Sequence, residues 1–129
     1  MNNQLIIATS IVENNNKYLL LKRSKSNRTN KGKWQFPEGK IEFGEEPIKA
    51  LERELKEETN LNLINANARN ITSSVINYPK YGKYHLIRLI FNCKVSGKIA
   101  LSEEHYKFGW FSKNKIKNMK IVNGTGNIL

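Results

Sequence analysis

The chain has 129 residues, enough for one core and one domain spanning 1–129. Twenty-two Lys and Arg against eleven Asp and Glu give a net charge of +11, and the single Cys93 rules out an internal disulfide. No apolar run approaches the ~18 residues a membrane helix needs, and no charged-then-apolar leader is present. The expectation is a protein of the reducing cytoplasm with no membrane partner.

Residues 4–12, QLIIATSIV, are apolar and β-branched enough for a buried strand, Asn14 to Asn16 signal a turn, and 17–23, KYLLLKR, read as the second strand of a hairpin. The polar, basic stretch 24–33 reads as a loop. Arg23, at a strand end beside that loop, is the residue there best placed to touch a ligand. Residues 34–44, WQFPEGKIEFG, lead towards a helix, and Trp34 and Phe36 are core anchors or base-stacking residues.

Pro47 suits a first helical position, and Ile48, Leu51 and Leu55 then form an apolar stripe over a helix at 47–59. Glu54, Glu57 and Glu58 share a second face. Like charges at such spacings destabilise a helix by about 0.2–0.5 kcal/mol each, and Lys49, Arg53 and Lys56 offset only part of that. A carboxylate cluster held at a cost implies a cation, and Mg²⁺ takes hard oxygen ligands while joining carboxylates to substrate phosphates. The charge distribution agrees. Residues 38–58 hold eight of the eleven acids and four of the bases, net −4, leaving net +15 elsewhere. An acidic island in a basic chain suits a metal site serving a polyanion.

Beyond the helix, 61–64 begin an extended segment, and 71–78 with 84–95 read as a long antiparallel hairpin. Tyr78, Tyr81 and Tyr84 near its turn are base-stacking candidates or ordinary strand formers. His85 and His105 are the only histidines, which argues against a histidine-based zinc site. Residues 101–112 hold Glu103 and Glu104, two of the three acids outside the island. Residues 113–119 read as a short basic helix and 121–129 as a frayed tail.

The spacing Gly39, Glu45, then Arg53-Glu54-Leu55-Lys56-Glu57-Glu58-Thr59-Asn60-Leu61 resembles the Nudix box, G-x5-E-x7-R-E-U-x-E-E-x-G-U with U aliphatic. Asn60 replaces the second glycine, and Asn is the usual substitute at a left-handed position after a helix. WQFPEGKIEFG is similar to the WxFPGGKxExG lead-in of the MutT-like branch, with Glu38 in place of the first glycine of the pair. LSEEHYKFGWFS is similar to the E-H-x4-W segment of many Nudix enzymes.

The resemblance implies an α+β domain, the Nudix α/β/α sandwich with a mixed β-sheet between helices. It implies Mg²⁺, with Mn²⁺ as a substitute, and hydrolysis of a nucleoside diphosphate linked to another group. Carried over residue by residue, Glu57 and Glu58 are the principal metal ligands, joined by the backbone carbonyl of Glu38. Glu54 is a ligand or the general base, and Glu104 (Glu103 as fallback) is the other candidate for either role. Arg53 and Glu45 orient the cluster, Gly39 belongs to the motif's backbone, and Lys40 supports the loop or a phosphate. Asn123 corresponds to a tail asparagine that reaches the base in some MutT-like enzymes.

The expected reaction is that of a nucleoside triphosphate pyrophosphohydrolase releasing a monophosphate and pyrophosphate. Dinucleoside polyphosphates, ADP-ribose and RNA 5′ ends are the alternative substrates, the last being the only nucleic-acid partner anticipated. The basic surplus alone would suit a nucleic-acid-binding domain, but it leaves the acidic island without a role. A non-catalytic nucleotide sensor would be expected to have lost a helix glutamate, and all are kept here.

Overall fold

The computed structural model describes residues 3–25, 27, 29–122 and 128–129. The chain order is β1 (Asn3–Asn14), β2 (Lys17–Arg23), β3 (Trp34–Gln35), β4 (Glu38–Lys40), α1 (Pro47–Thr59), β5 (Asn62–Tyr78), β6 (Gly82–Ser96), β7 (His105–Ser112) and α2 (Lys113–Ile116). The seven strands form one mixed sheet ordered β3-β2-β1-β6-β5, with β4 also paired to β1 and β7 to β2.

Strand β1 is the axis. It runs parallel to β6 from Asn3 opposite Tyr84 to Val12 opposite Cys93. Its residues 7–12 are all buried, as expected for a strand covered on both faces. The turn to β2 is made by Asn15 and Asn16 at φ 53° and 62°, the left-handed pair of a two-residue hairpin. Beyond Glu13–Tyr18 and Asn14–Lys17 the two strands part. β3 pairs with β2 through Leu21–Gln35, and β4 pairs with β1 through Ile7–Lys40 and Thr9–Glu38. The Phe36-Pro37 link therefore steps across a split in the sheet, and the split positions the site.

A helix covers each face. On one side Leu51 and Leu55 of α1 pack with Ala8, Val12, Leu19, Leu21 and Phe91. On the other, Ile116 of α2 packs with Ile11, Leu20, Phe36 and Ile90. Alternate residues of β1, β2 and β6 thus feed opposite cores, as the strand period requires. The layered α/β/α arrangement and mixed sheet match the expectation.

Four local readings change. Ile48 stays 40% exposed in the first turn of α1, and Ala50, Leu51 and Leu55 make the buried face instead. Residues 65–70, NANARN, lack strand-forming side chains, yet β5 runs unbroken through them because β6 supplies its ladder. Register shifts place bulges at Ile64 and Arg69. The second helix is a single turn that tightens into Asn118 N–H to Lys115 O and Met119 N–H to Ile116 O bonds. The tail, read as frayed, instead clasps β3 in its described residues, through Trp34 N–H to Lys120 O and Val122 N–H to Trp34 O, and Val122 and Ile128 are buried. Asn123 lies outside the described residues.

Candidate active site

Helix α1 ends beneath the split. Its C-cap, Asn60, adopts φ 65° and ψ 8° with its N–H on Lys56 O, so asparagine fills the left-handed position as anticipated. The buried Thr59 hydroxyl donates to Leu55 O at 2.6 Å. That register turns Glu58 inward, where its Oε1 accepts the backbone N–H of Glu38 at 3.0 Å. The loop before the helix is thus tied directly to a motif carboxylate.

Arg53 organises the rest of the helix face. Its Nε and Nη2 grip Glu45 at 2.8 and 2.9 Å, Nη1 reaches Glu54 at 2.7 Å, and Nη2 also donates to Lys40 O at 3.1 Å. Glu45 in turn accepts the Glu42 N–H at 3.1 Å. The Arg53 guanidinium holds the Glu45 carboxyl down at about 2, helped by that backbone N–H. Glu45 also pushes the arginine's own pKa up, with Glu54 adding to it. A bidentate fork of this kind fixes a plane as well as a charge, so Arg53 sets the orientation of Glu54.

Gly39 has a steric explanation. A Cβ built there would overlap the Cγ and carboxyl group of Glu54. The glycine leaves room for a carboxylate to lie against the β4 backbone.

The carboxylates converge on a cavity of about 250 Å³ lined by Glu54, Glu58, Glu104, Glu38, Lys40 and Arg23, among others. Burial raises the Glu54 carboxyl, against the pull of Arg53, and Glu57 and Glu104 add repulsion. Burial pushes Glu58 well above the usual carboxylate range, with Glu54, Glu104 and Glu38 contributing further repulsion. A buried acidic cluster that resists ionisation in this way fits a dication, whose charge would reverse each of those shifts.

Glu57 stands apart. Its side chain is 59% exposed, and Arg53 Nη1 lies 3.5 Å away. It sits at the rim of the helix face rather than among the cavity's lining residues. Glu104 is fastened by its own backbone, whose carbonyl accepts Ser24 N–H at 2.9 Å and Asn27 Nδ2 at 2.7 Å.

Three side-chain roles escaped the sequence reading. The Glu38 carboxylate accepts from Thr9 Oγ1 at 2.8 Å and from Arg88 Nε at 3.0 Å, so its side chain has a structural role besides its backbone's. Arg88 is 1% exposed. His105 is likewise buried, and one of its ring nitrogens lies within 4.8 Å of carboxylate oxygens of Glu58 and Glu104. The signals were a charge where the motif has glycine, an arginine in an apolar strand, and a histidine next to a candidate glutamate.

A second cavity of about 320 Å³ adjoins the first, sharing Leu5, Ile7, Arg23 and Glu38 with it. Tyr78, Tyr81, Tyr84 and Arg88 line it, with Tyr78 and Tyr84 in an edge-to-face pair at 5.8 Å. Arg23 stands at the junction, held by Gln35 Oε1 at 2.6 Å and Thr29 O at 3.1 Å.

The NUDIX domain family model matches residues 4–129. The uncharacterized Nudix hydrolase YvcI of Bacillus subtilis is 26% identical over 125 residues, covering 95% of this chain and 75% of that protein. The nucleoside triphosphatase NudI of Escherichia fergusonii is 30% identical over 114 residues, covering 83% of this chain and 81% of that one. Among solved structures, the MutT protein of Methanosarcina mazei aligns with a TM-score of 0.81 at 27% identity, covering 98% of this chain and 91% of that one.

Proposed function

The chain belongs to the Nudix family and is a hydrolase of phosphoanhydride bonds, and we propose that it converts a nucleoside triphosphate to the monophosphate and pyrophosphate with Mg²⁺. The observation that carries this reading is the contact between the acidic cavity and the tyrosine-lined one, with Arg23 at their junction. A nucleoside in the second cavity would extend its phosphates into the first. The similarity to NudI, a nucleoside triphosphatase, supports the same class.

Glu58, Glu54 and Glu104, with Glu57 at the rim and the Glu38 carbonyl, are the groups that would hold Mg²⁺. The ion, when bound, neutralises charge on phosphate oxygens and acidifies water at the site. Arg53 and Glu45 keep Glu54 in place. Lys40 and Arg23 face the polyphosphate charge. Water attacks a phosphorus beside the α–β bridging oxygen, its proton passes to Glu54 or Glu104, and the phosphoanhydride bond breaks as its electrons leave with the departing group. Tyr78 and Tyr84 offer an aromatic edge and face to the base.

The test is product identification over a panel of normal and oxidised triphosphates, ADP-ribose, diadenosine polyphosphates and 5′-triphosphate RNA. Pyrophosphate released from a preferred triphosphate supports the reading. Preference for another class, or nucleotide binding without turnover, overturns it.

A further inference from the structure

We propose that His105 is a direct nitrogen ligand of the metal ion, giving the site a mixed oxygen and nitrogen donor set. The inference rests on the metal-dependent reading above and assigns a ligand that the box motif does not contain. Glu58, Glu104 and His105 each offer one donor atom, and the three atoms lie within 4.8 Å of one another. His105 is 2% exposed, and neither ring nitrogen has a hydrogen-bond partner among the described residues. A buried imidazole with both nitrogens unsatisfied calls for an explanation, and a cation held with the two carboxylates would satisfy one of them.

The backbone shows how neighbouring residues reach the same point. Adjacent strand residues point to opposite faces, but Glu104 lies in the turn before β7 and escapes that alternation. The turn is closed by His105 N–H to Ser102 O at 3.3 Å, and Ser102 N–H is anchored on Glu58 O at 3.3 Å. His105 then pairs with Arg23 beyond a register shift between β2 and β7. A neutral imidazole nitrogen is the commonest metal-binding side-chain donor. Imidazole suits later first-row metals such as Co²⁺ and Ni²⁺ better than it suits Mg²⁺, so Co²⁺ should bind more tightly than in an all-oxygen site.

The experiment uses the full chain, Mn²⁺ as the probe and pulsed EPR of ¹⁵N-histidine-labelled protein. His85→Asn leaves His105 as the only histidine, so a retained ¹⁵N coupling to Mn²⁺ identifies it without altering the site. His105→Leu should remove the coupling and weaken Mn²⁺ binding about tenfold or more. Stoichiometric Mn²⁺ binding with no ¹⁵N coupling overturns the inference and leaves the enzyme reading standing. Coupling that disappears in His85→Asn also overturns it. Absence of any Mn²⁺ binding overturns both.

Discussion

Arg88 and Glu38 form an ion pair inside the sheet, Nε to Oε1 at 3.0 Å and Nη2 to Oε2 at 3.3 Å. It ties β6 to β4 across β1, at the wall shared by the two cavities. Removing one partner of a buried pair costs about 3–5 kcal/mol, whereas replacing both with apolar groups is often near neutral. Glu38→Ala should therefore lower unfolding stability by that amount, and Glu38→Gly with Arg88→Leu should recover most of it. Urea denaturation of the single and double variants checks this. A single-variant loss under about 1 kcal/mol, the range of screened surface pairs, would contradict the buried role.

Gly39→Ala tests the contact with Glu54. The added methyl cannot coexist with the observed Glu54 side chain, so the carboxylate must move. Misplacing a reacting group by about 1 Å can cost about 10²-fold in rate, and kcat should fall by that order while the far-UV circular dichroism spectrum is kept. An undiminished kcat would mean that Glu54 works from another position.

The Glu45–Arg53 fork carries a pH signature. Glu45 is lowered from 4.5 to about 2 in the folded protein, so the unfolded chain takes up its proton first. The stabilisation is complete above pH 4.5 and is lost as pH falls towards 2. Glu45→Gln should show a shallower acid arm in thermal melting over that window. Parallel acid arms for variant and wild type would remove the fork from the stability account.

Tyr84→Ala tests the second cavity. Aromatic stacking on a base is worth about 1–3 kcal/mol, and its loss should appear in KM for the preferred nucleotide while kcat is largely retained. An unchanged KM would place the base elsewhere.

The box residues were legible because their spacing encodes both a helix and a charge pattern. Gly39, Arg53, Glu54, Glu58 and the Asn60 cap all lie within one local stretch whose geometry follows from a 3.6-residue period. The sheet's outline was legible too, because β1, β2 and β6 are apolar runs. What escaped depends on pairings distant in sequence. Arg88 gains meaning only when β6 is set parallel to β1 with β4 on the other side. His105 does so only when the 102–105 turn is docked on the end of α1. Residues 65–70 are strand because β6 pairs with them, which no local propensity states.

Glu58 should link stability to a bound metal. Its folded pKa is raised above 4.5, so ionised Glu58 destabilises the metal-free fold, increasingly as pH rises from that value. His105 acts in the opposite sense, losing stability as pH falls from 6.5 to about 4, but a comparison of two proteins that both contain it cancels most of that effect. Glu58→Gln keeps an oxygen acceptor for the Glu38 N–H and removes the charge. Without divalent ions it should melt above wild type at neutral pH, by a margin that shrinks towards pH 4.5. Millimolar Mg²⁺ should raise the wild-type melting temperature and leave the variant's nearly unchanged, since a ligand bound only by the folded state stabilises it by an amount that grows with the logarithm of its concentration over Kd. Equal Mg²⁺ stabilisation of both proteins would place the ion away from Glu58.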